Sequence, residues 1–91
     1  MTRSYSSTVK GRVQGVSFRF ATHAKALKLQ LTGWVKNLPN GDVQIEAEGT
    51  ETNINSLIDW CNVGPPLAKV EEVIADETTV KNHRNFEIKN N

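Results

Sequence analysis

The Asn40-Gly41 pair lies between two β-prone segments of the chain. Residues 32–38 are rich in β-forming side chains, and after the pair Val43, Ile45 and Ala47 alternate with polar residues. Asn-Gly is favoured in tight hairpin turns because those turns require positive φ, which these two residues tolerate. The pair therefore predicts an antiparallel hairpin whose second strand buries one face.

The N-terminal segment predicts a strand followed by a helix. Residues 5–10 alternate, with Tyr5, Ser7 and Val9 on one side, which is the period of a strand. From about Ser17 the apolar residues recur at helical spacing, and Ser17 or a neighbour is a candidate N-cap. The apolar stripe expected for this helix is Phe20, Ala24, Leu27 and Leu31.

The C-terminal segment repeats the order of helix and strand. Residues 49–52 supply capping groups for a second helix, and Gly64-Pro65-Pro66 ends it. Its apolar stripe is Ile54, Leu57, Ile58 and Cys61. Another strand is expected around residues 68–75, with a β-bulge at Glu71-Glu72 where the alternation slips. Phe86 and Ile88 predict a last short strand.

Together these elements have the order β-α-β-β-α-β with a short terminal strand. That order predicts an α+β, ferredoxin-like βαββαβ sandwich, in which two helices cover one face of an antiparallel sheet and strands 1 and 3 are central. Residues 1–91 are expected to form a single domain. The topology does not indicate a function, because this fold hosts many unrelated activities.

The composition excludes several classes of protein. The net charge of +1, from 11 basic and 10 acidic residues, does not predict the broad basic surface of a nucleic-acid-binding domain. The N-terminus has no apolar signal sequence, and no segment is long enough to span a membrane. The single cysteine, Cys61, has no partner for an internal disulfide. We expect a monomer in the cytoplasm.

The segment from Gly11 to Arg19 is the candidate functional loop, because it joins the first strand to the N-terminus of the first helix. Such a turn leaves backbone N–H groups free to converge on an anion, and Gly15 lets the backbone approach a ligand closely. Arg19 adds a permanent charge and a planar fork suited to phosphate. The loop contains no Asp, Glu, His or Cys, and therefore neither a metal ligand nor a usual nucleophile. Turn formation alone would also explain the glycines.

Two motifs resemble those of a known family and bear on this interpretation of the loop. The run Gly11-Arg12-Val13-Gln14-Gly15-Val16-Ser17-Phe18-Arg19 resembles the signature loop of the acylphosphatases. The run Gly33-Trp34-Val35-Lys36-Asn37-Leu38-Pro39-Asn40-Gly41-Asp42-Val43 resembles their second signature. The spacing of the two runs and the length of the chain also match, so the resemblance covers essentially the whole sequence.

The resemblance implies hydrolysis of the carboxyl–phosphate bond of small acyl phosphates, without a cofactor, a metal or a covalent intermediate. It places the phosphate-binding arginine at Arg19 and the water-orienting asparagine at Asn37. The backbone cradle would comprise the N–H groups of Gln14, Gly15, Val16, Ser17, Phe18 and Arg19.

The chemistry fits so small a set of groups. A carboxylate is a weakly basic leaving group, and phosphoryl transfer passes through a loose transition state, so positioning and electrostatic stabilisation carry most of the catalysis. Asn37 has no basic group, but its amide can orient a water molecule. We hypothesise that the proton of this water passes to a phosphate oxygen of the substrate.

The sequence departs from the family pattern at two positions. Family members often have glycine where this chain has Gln30, a position suited to a left-handed residue that closes the first helix. Gln30 is therefore expected to cost about 1 kcal/mol of strain or to end the helix differently. Many members have threonine where this chain has Leu38, a change expected to affect rate or substrate range.

Three other functions were weighed against hydrolysis. An RNA-binding βαββαβ domain would carry aromatic residues on its central strands, whereas residues 43–48 have none and include two acidic residues. A regulatory domain that binds a small ligand and an acylphosphatase-like domain without turnover remain alternatives. Ser17 is open between helix capping and phosphate binding, and Arg12 and Lys36 between substrate attraction and simple exposure. The physiological substrate is not indicated.

Overall fold

Five strands and two helices make up residues 1–90, the part of the chain that the computed structural model describes. They are β1 (Arg3–Arg12), α1 (Phe18–Lys28), β2 (Thr32–Asn37), β3 (Val43–Gly49), α2 (Glu51–Cys61), β4 (Lys69–Thr78) and β5 (Phe86–Lys89). The strands form one sheet in the order β4-β1-β3-β2-β5. Over residues 1–90, neither helix has the length and apolar character needed to cross a membrane.

The predicted fold class is confirmed. Strands β1 and β3 lie at the centre, and β1–β3, β1–β4 and β2–β3 are antiparallel pairs. The extra C-terminal strand, β5, runs parallel to β2, with Gly33 opposite Phe86 and Lys36 opposite Lys89, so the whole sheet is mixed. This pairing brings the end of β5 beside the end of β2.

The hydrophobic core lies between the two helices and one face of the sheet. Its sheet side includes Val9, Val35 and Ile45, and α2 contributes Ile54 and Leu57. The stripe predicted for α2 is correct, because Ile54, Leu57 and Cys61 are all buried. The Thr50 hydroxyl caps α2 by accepting a hydrogen bond from the Asn53 amide.

The stripe predicted for α1 is wrong. The helix buries Phe18, Thr22 and Ala26, whereas Phe20 and Leu27 are 71% and 55% exposed. Of the predicted stripe only Leu31 is buried, and it lies beyond the end of the helix. Phe18 begins the buried face of the helix, because its side chain is only 2% exposed and its ring packs 5.5 Å from that of Trp60.

The β2–β3 hairpin is present, but its turn is longer than a two-residue turn. The Leu38 amide donates to Asp42 O, and the Gly41 amide donates to Leu38 O. Gly41 has a φ of 99°, while Asn40 keeps a negative φ and accepts a hydrogen bond from the Asp42 amide with its side chain. The Asn-Gly pair thus predicted the hairpin correctly, with positive φ required at glycine only.

The predicted bulge in β4 is also present. Lys10 pairs with Glu72 and Gly11 with Val70, which leaves Glu71 as the extra residue. A Cβ at Gly11 would lie 2.2 Å from Lys69 O, so the close approach of β4 requires glycine there. The bulge lies where β1 leads into the candidate loop.

Gln30 has the left-handed conformation that the sequence suggested, with a φ of 57°. The Leu31 amide donates to Ala26 O and the Gln30 amide to Leu27 O, which is the hydrogen-bond pattern of a Schellman motif. The helix therefore ends in the same way as a helix with a C-terminal glycine, and Gln30 has the backbone strain of a left-handed residue with a Cβ.

The other face of the sheet is crossed by the segment that leads from β4 to β5. Two buried carboxylates of β3 hold this segment: Glu48 accepts hydrogen bonds from the Lys81 and His83 amides, and Glu46 pairs with the side chains of both residues. Burial alone would raise the pKa of Glu46, but the hydrogen bonds from His83 and Lys81 outweigh it and lower that pKa. The half-buried side chain of His83 thus pairs with a buried carboxylate.

Candidate active site

The loop between β1 and α1 is anchored by alternate side chains. Val16 and Phe18 are buried in the core, whereas Gly15 and Ser17 face outwards. Phe18 lies against Trp60 and close to Gly64, where an added Cβ would come within 2.9 Å of its ring. The contacts of Phe18 with the end of α2 and with Gly64 therefore fix the position of the loop relative to the core.

The backbone of this loop leaves a set of amides unpaired. Gly15 and Ser17 both have positive φ, at 75° and 63°. Over the described residues, none of the N–H groups of residues 14–19 donates a hydrogen bond to another protein group. Successive free amides in a turn with left-handed residues form an anion-binding concavity. A left-handed serine is costly, and such strain often accompanies a functional loop.

Ser17 occupies the N-cap position of α1 but does not cap it with its side chain. Its hydroxyl is exposed and lines the same cavity as Arg19. Of the two interpretations that the sequence left open, side-chain capping is therefore wrong. The hydroxyl remains available to a ligand.

The guanidinium of Arg19 is held by the C-terminal strand. Its Nη1 donates to Lys89 O at 2.9 Å and to Asn90 Oδ1 at 3.3 Å. A guanidinium has five N–H donors, and among residues 1–90 only this one nitrogen of Arg19 is engaged. The remaining donors can serve an anion while β5 restrains the side chain.

One open cavity of about 200 Å³ brings the two predicted catalytic residues together. Arg19 and Asn37 both line it, along with Gly15 and Ser17. Asn37 is the last residue of β2, and its side-chain amide makes no hydrogen bond within the described chain. Both hydrogen-bonding ends of that amide are thus available to a water molecule.

Gln14 links the loop to the β2–β3 hairpin. Its side-chain Nε2 donates to Leu38 O at 2.8 Å and to Asp42 O at 2.9 Å. The two carbonyls flank the turn that directly follows Asn37. Only the backbone of Gln14 was predicted to belong to the site, because the bracing contact of its side chain joins residues distant in the sequence.

The electrostatic character of the cavity comes from Arg19, which is the one charged residue among the described residues that line it. The nearby buried carboxylate of Asp42 is paired with Lys10 Nζ at 2.8 Å. That hydrogen bond, together with the attraction between the two charges, raises the pKa of Lys10. The pairing leaves the positive charge of Arg19 to a ligand.

Within the described part of the chain, neither a thiol nor a cluster of metal ligands accompanies these residues. Cys61 is buried in the core, and burial raises the pKa of its thiol to about 12. Over residues 1–90, no three side chains of His, Cys, Asp or Glu come together as a metal-binding group. The chemistry of the described site rests on amides, one hydroxyl and one guanidinium.

Two apolar residues of the cavity were not predicted. Phe20 follows Arg19 in the first turn of α1, and Ile88 lies on β5 directly before Lys89. Phe20 was predicted to lie in the apolar stripe of the helix, and Ile88 was predicted only as part of a strand. The position of Phe20 beside Arg19 was the available signal.

Comparisons with known proteins agree on one family. The sequence matches the family model described as Acylphosphatase over residues 5–88. An acylphosphatase of Acaryochloris marina is 48% identical over 82 residues, covering 90% of this chain and 88% of that protein. An acylphosphatase of Geobacter metallireducens is 51% identical over 74 residues, covering 81% and 80%. An acylphosphatase structure from Coxiella burnetii has a TM-score of 0.94 at 43% identity and covers 97% of this chain and 93% of that one.

Proposed function

The chain belongs to the acylphosphatase family, and we propose that it hydrolyses acyl phosphates to a carboxylate and inorganic phosphate at the cavity between the β1–α1 loop and Asn37. One observation carries this proposal: unpaired loop amides, a restrained guanidinium and an unengaged side-chain amide surround a single cavity. The physiological acyl phosphate is not specified by these groups.

The amides of residues 14–19 and Arg19 bind the phosphoryl group. Charge accumulates on its equatorial oxygens in a loose transition state, and fixed N–H donors stabilise that charge without reorganising. A preorganised donor of this kind contributes about 3–4 kcal/mol in the transition state. The positive φ of Gly15 and Ser17 turns the donors towards one point.

Asn37 places the attacking water. Its carbonyl oxygen accepts a hydrogen bond from the water and its NH₂ group donates one, which fixes the water for attack in line with the leaving carboxylate. The water oxygen bonds to phosphorus as the bond to the carboxylate oxygen breaks, and the water proton passes to a phosphate oxygen. No general acid is required, since the leaving carboxylate is a weak base, and no protein base is required because a phosphate oxygen takes the proton.

The restraint on Arg19 contributes to catalysis in advance of substrate binding. Lys89 O holds one nitrogen of the guanidinium, so less side-chain freedom is lost when the phosphoryl group binds. Gln14 contributes in the same way by fixing the loop relative to the strand that carries Asn37. We further propose that the enzyme acts as a cytoplasmic monomer, as its single buried cysteine and balanced charge suggest.

Steady-state hydrolysis of benzoyl phosphate by the purified protein tests this proposal. Arg19→Ala is expected to be nearly inactive and to lose inhibition by inorganic phosphate. Asn37→Ala is expected to lose turnover while it retains that inhibition, because the water and not the phosphoryl group depends on Asn37. Lys28→Ala, an exposed cation in the last turn of the same helix, is the matched control and should retain activity.

Two results would contradict the proposal. The first is an Arg19→Ala variant that retains both turnover and phosphate inhibition. The second is a large loss of activity on dialysis against a chelator, because the mechanism uses no metal. A group of the enzyme that titrates near neutral pH in the kcat profile would argue against the proton route.

A further inference from the structure

The outer wall of the cavity is apolar. Phe20 is 71% exposed and Ile88 is 38% exposed, and both line the cavity that contains Arg19 and Asn37. Two exposed apolar side chains that line one cavity give it the apolar lining typical of ligand sites. Both residues are neighbours in the chain of the residues that form the Arg19 contact. Phe20 directly follows Arg19, and Ile88 directly precedes Lys89, whose carbonyl oxygen accepts the hydrogen bond from the guanidinium.

The remaining lining groups are already committed. Gly15, Ser17 and Arg19 face the phosphoryl group, and Asn37 faces the water. Val13 and Phe18 are only 1% and 2% exposed and therefore offer almost no surface. Once the phosphoryl group is seated, the exposed surface left for the rest of the substrate belongs to Phe20 and Ile88.

We propose that the acyl group of the substrate packs against the wall formed by Phe20 and Ile88, so that this enzyme prefers acyl phosphates whose acyl group is aromatic or otherwise apolar. This inference rests on the proposed function, because it requires the phosphoryl group to lie on the loop. Within residues 1–90 the wall carries no cation for a second carboxylate, since Arg19 is the one charged lining residue there and it holds the phosphoryl group. An acyl group with its own negative charge would face apolar surface and lose hydration.

Secondary structure keeps this wall at a fixed place relative to the reacting bond. Phe20 lies in the first turn of α1, and Ile88 is paired with Val35 of β2 within the sheet. A contact with the acyl group thus helps to orient the carboxylate that departs. A flexible loop at this position would lose more conformational entropy on binding.

Comparison of Phe20→Ala with the parent enzyme on two substrates tests the inference. The substrates are benzoyl phosphate, which has an aromatic acyl group, and acetyl phosphate, which has a single methyl group. We expect the ratio of kcat/KM for benzoyl phosphate to that for acetyl phosphate to fall roughly 3- to 10-fold, the range of an aromatic contact at a partly open site. Phe20→Tyr retains the ring and is expected to retain the ratio.

Leu27→Ala is the matched control. Leu27 is a large apolar residue on the exposed side of the same helix but does not line the cavity, and its replacement is expected to leave the ratio unchanged. Inorganic phosphate inhibition reports the loop separately and should be the same in Phe20→Ala and the parent.

The outcomes distinguish this inference from the function on which it rests. If the parent hydrolyses both substrates and Phe20→Ala leaves their ratio unchanged, or Leu27→Ala lowers it equally, the apolar wall has no role in selecting the acyl group. If the parent hydrolyses neither substrate, the proposed function itself is wrong. A preference of the parent for an acyl phosphate with a second carboxylate would also overturn the inference.

Discussion

Replacement of Gln30 by glycine is expected to stabilise the protein. Gln30 closes α1 in the left-handed conformation at a φ of 57°. A residue with a Cβ pays about 1–2 kcal/mol for that conformation, which glycine does not. Gln30 is exposed, and within the described chain its side chain makes no hydrogen bond, so its removal costs no contact.

Part of the free energy gained by Gln30→Gly is cancelled by an effect on the unfolded state. Glycine has more freedom in the unfolded chain, which offsets roughly 0.4–1 kcal/mol. The centres of the two ranges differ by about 0.8 kcal/mol, so the expected net stabilisation is about 0.5–1 kcal/mol. For a domain of this size 1 kcal/mol corresponds to about 4–8 °C in Tm, so Gln30→Gly should raise Tm by roughly 2–8 °C.

Urea unfolding and calorimetry of three variants measure this effect. Gln30→Gly should raise the urea midpoint with an unchanged slope. Gln30→Ala keeps the strained backbone with a Cβ and should gain little. Asn82→Gly is a second control, because Asn82 also has a positive φ of 60° but asparagine tolerates it well. A Gln30→Gly variant no more stable than Gln30→Ala would refute the strain argument.

Three further predictions concern the core, the sheet face and the loop. Thr22→Val should raise the free energy of unfolding by about 1 kcal/mol, because the buried Thr22 hydroxyl has no hydrogen-bond partner among residues 1–90; a lower urea midpoint would contradict this. The pKa values of Glu46 and Glu48 are lowered by folding, since hydrogen bonds outweigh the effect of burial. The stabilisation that these two carboxylates give the folded protein is therefore complete above the unfolded-state pKa and is lost as pH falls through the folded-state pKa values. The free energy of unfolding measured in urea should therefore fall less between neutral and acidic pH in Glu46→Gln than in the parent. Gln14→Glu should lower kcat/KM for benzoyl phosphate roughly tenfold or more, because it replaces a donor by a carboxylate facing two carbonyl oxygens, while an unchanged value would show that the brace is dispensable.

The order of elements was predictable from the sequence because its signals are local. Capping at Thr50, the stop at Gly64, the bulge at Glu71 and the Asn40-Gly41 hairpin all depend on neighbouring residues. The buried face of α1 was not predictable in this way. Phe20, Ala24 and Leu27 have the spacing of a core stripe, but the helix buries the face that starts at Phe18, which contacts Trp60 from a distant part of the sequence.

The candidate site could be predicted only in part for the same reason. The loop, its glycine and its arginine suggested an anion site, and the two family motifs suggested Asn37 as its partner. The groups that support these residues come from far along the chain. Lys89 O, which holds Arg19, is separated from it by seventy residues, and the side-chain brace from Gln14 crosses to another hairpin. No local pattern encodes such contacts.

Titration of the ¹⁵N-labelled protein with inorganic phosphate, followed by backbone amide chemical shifts, tests the phosphate cradle directly. We expect saturable shifts concentrated at residues 14–19 and an affinity at least roughly tenfold weaker in Arg19→Ala, since a hydrogen bond to a charged group is worth about 1.5–3 kcal/mol. Asn37→Ala should bind phosphate as the parent does. Shifts that cluster elsewhere, such as the surface around Lys25 and Lys28, or an affinity that survives the loss of the guanidinium, would contradict the account.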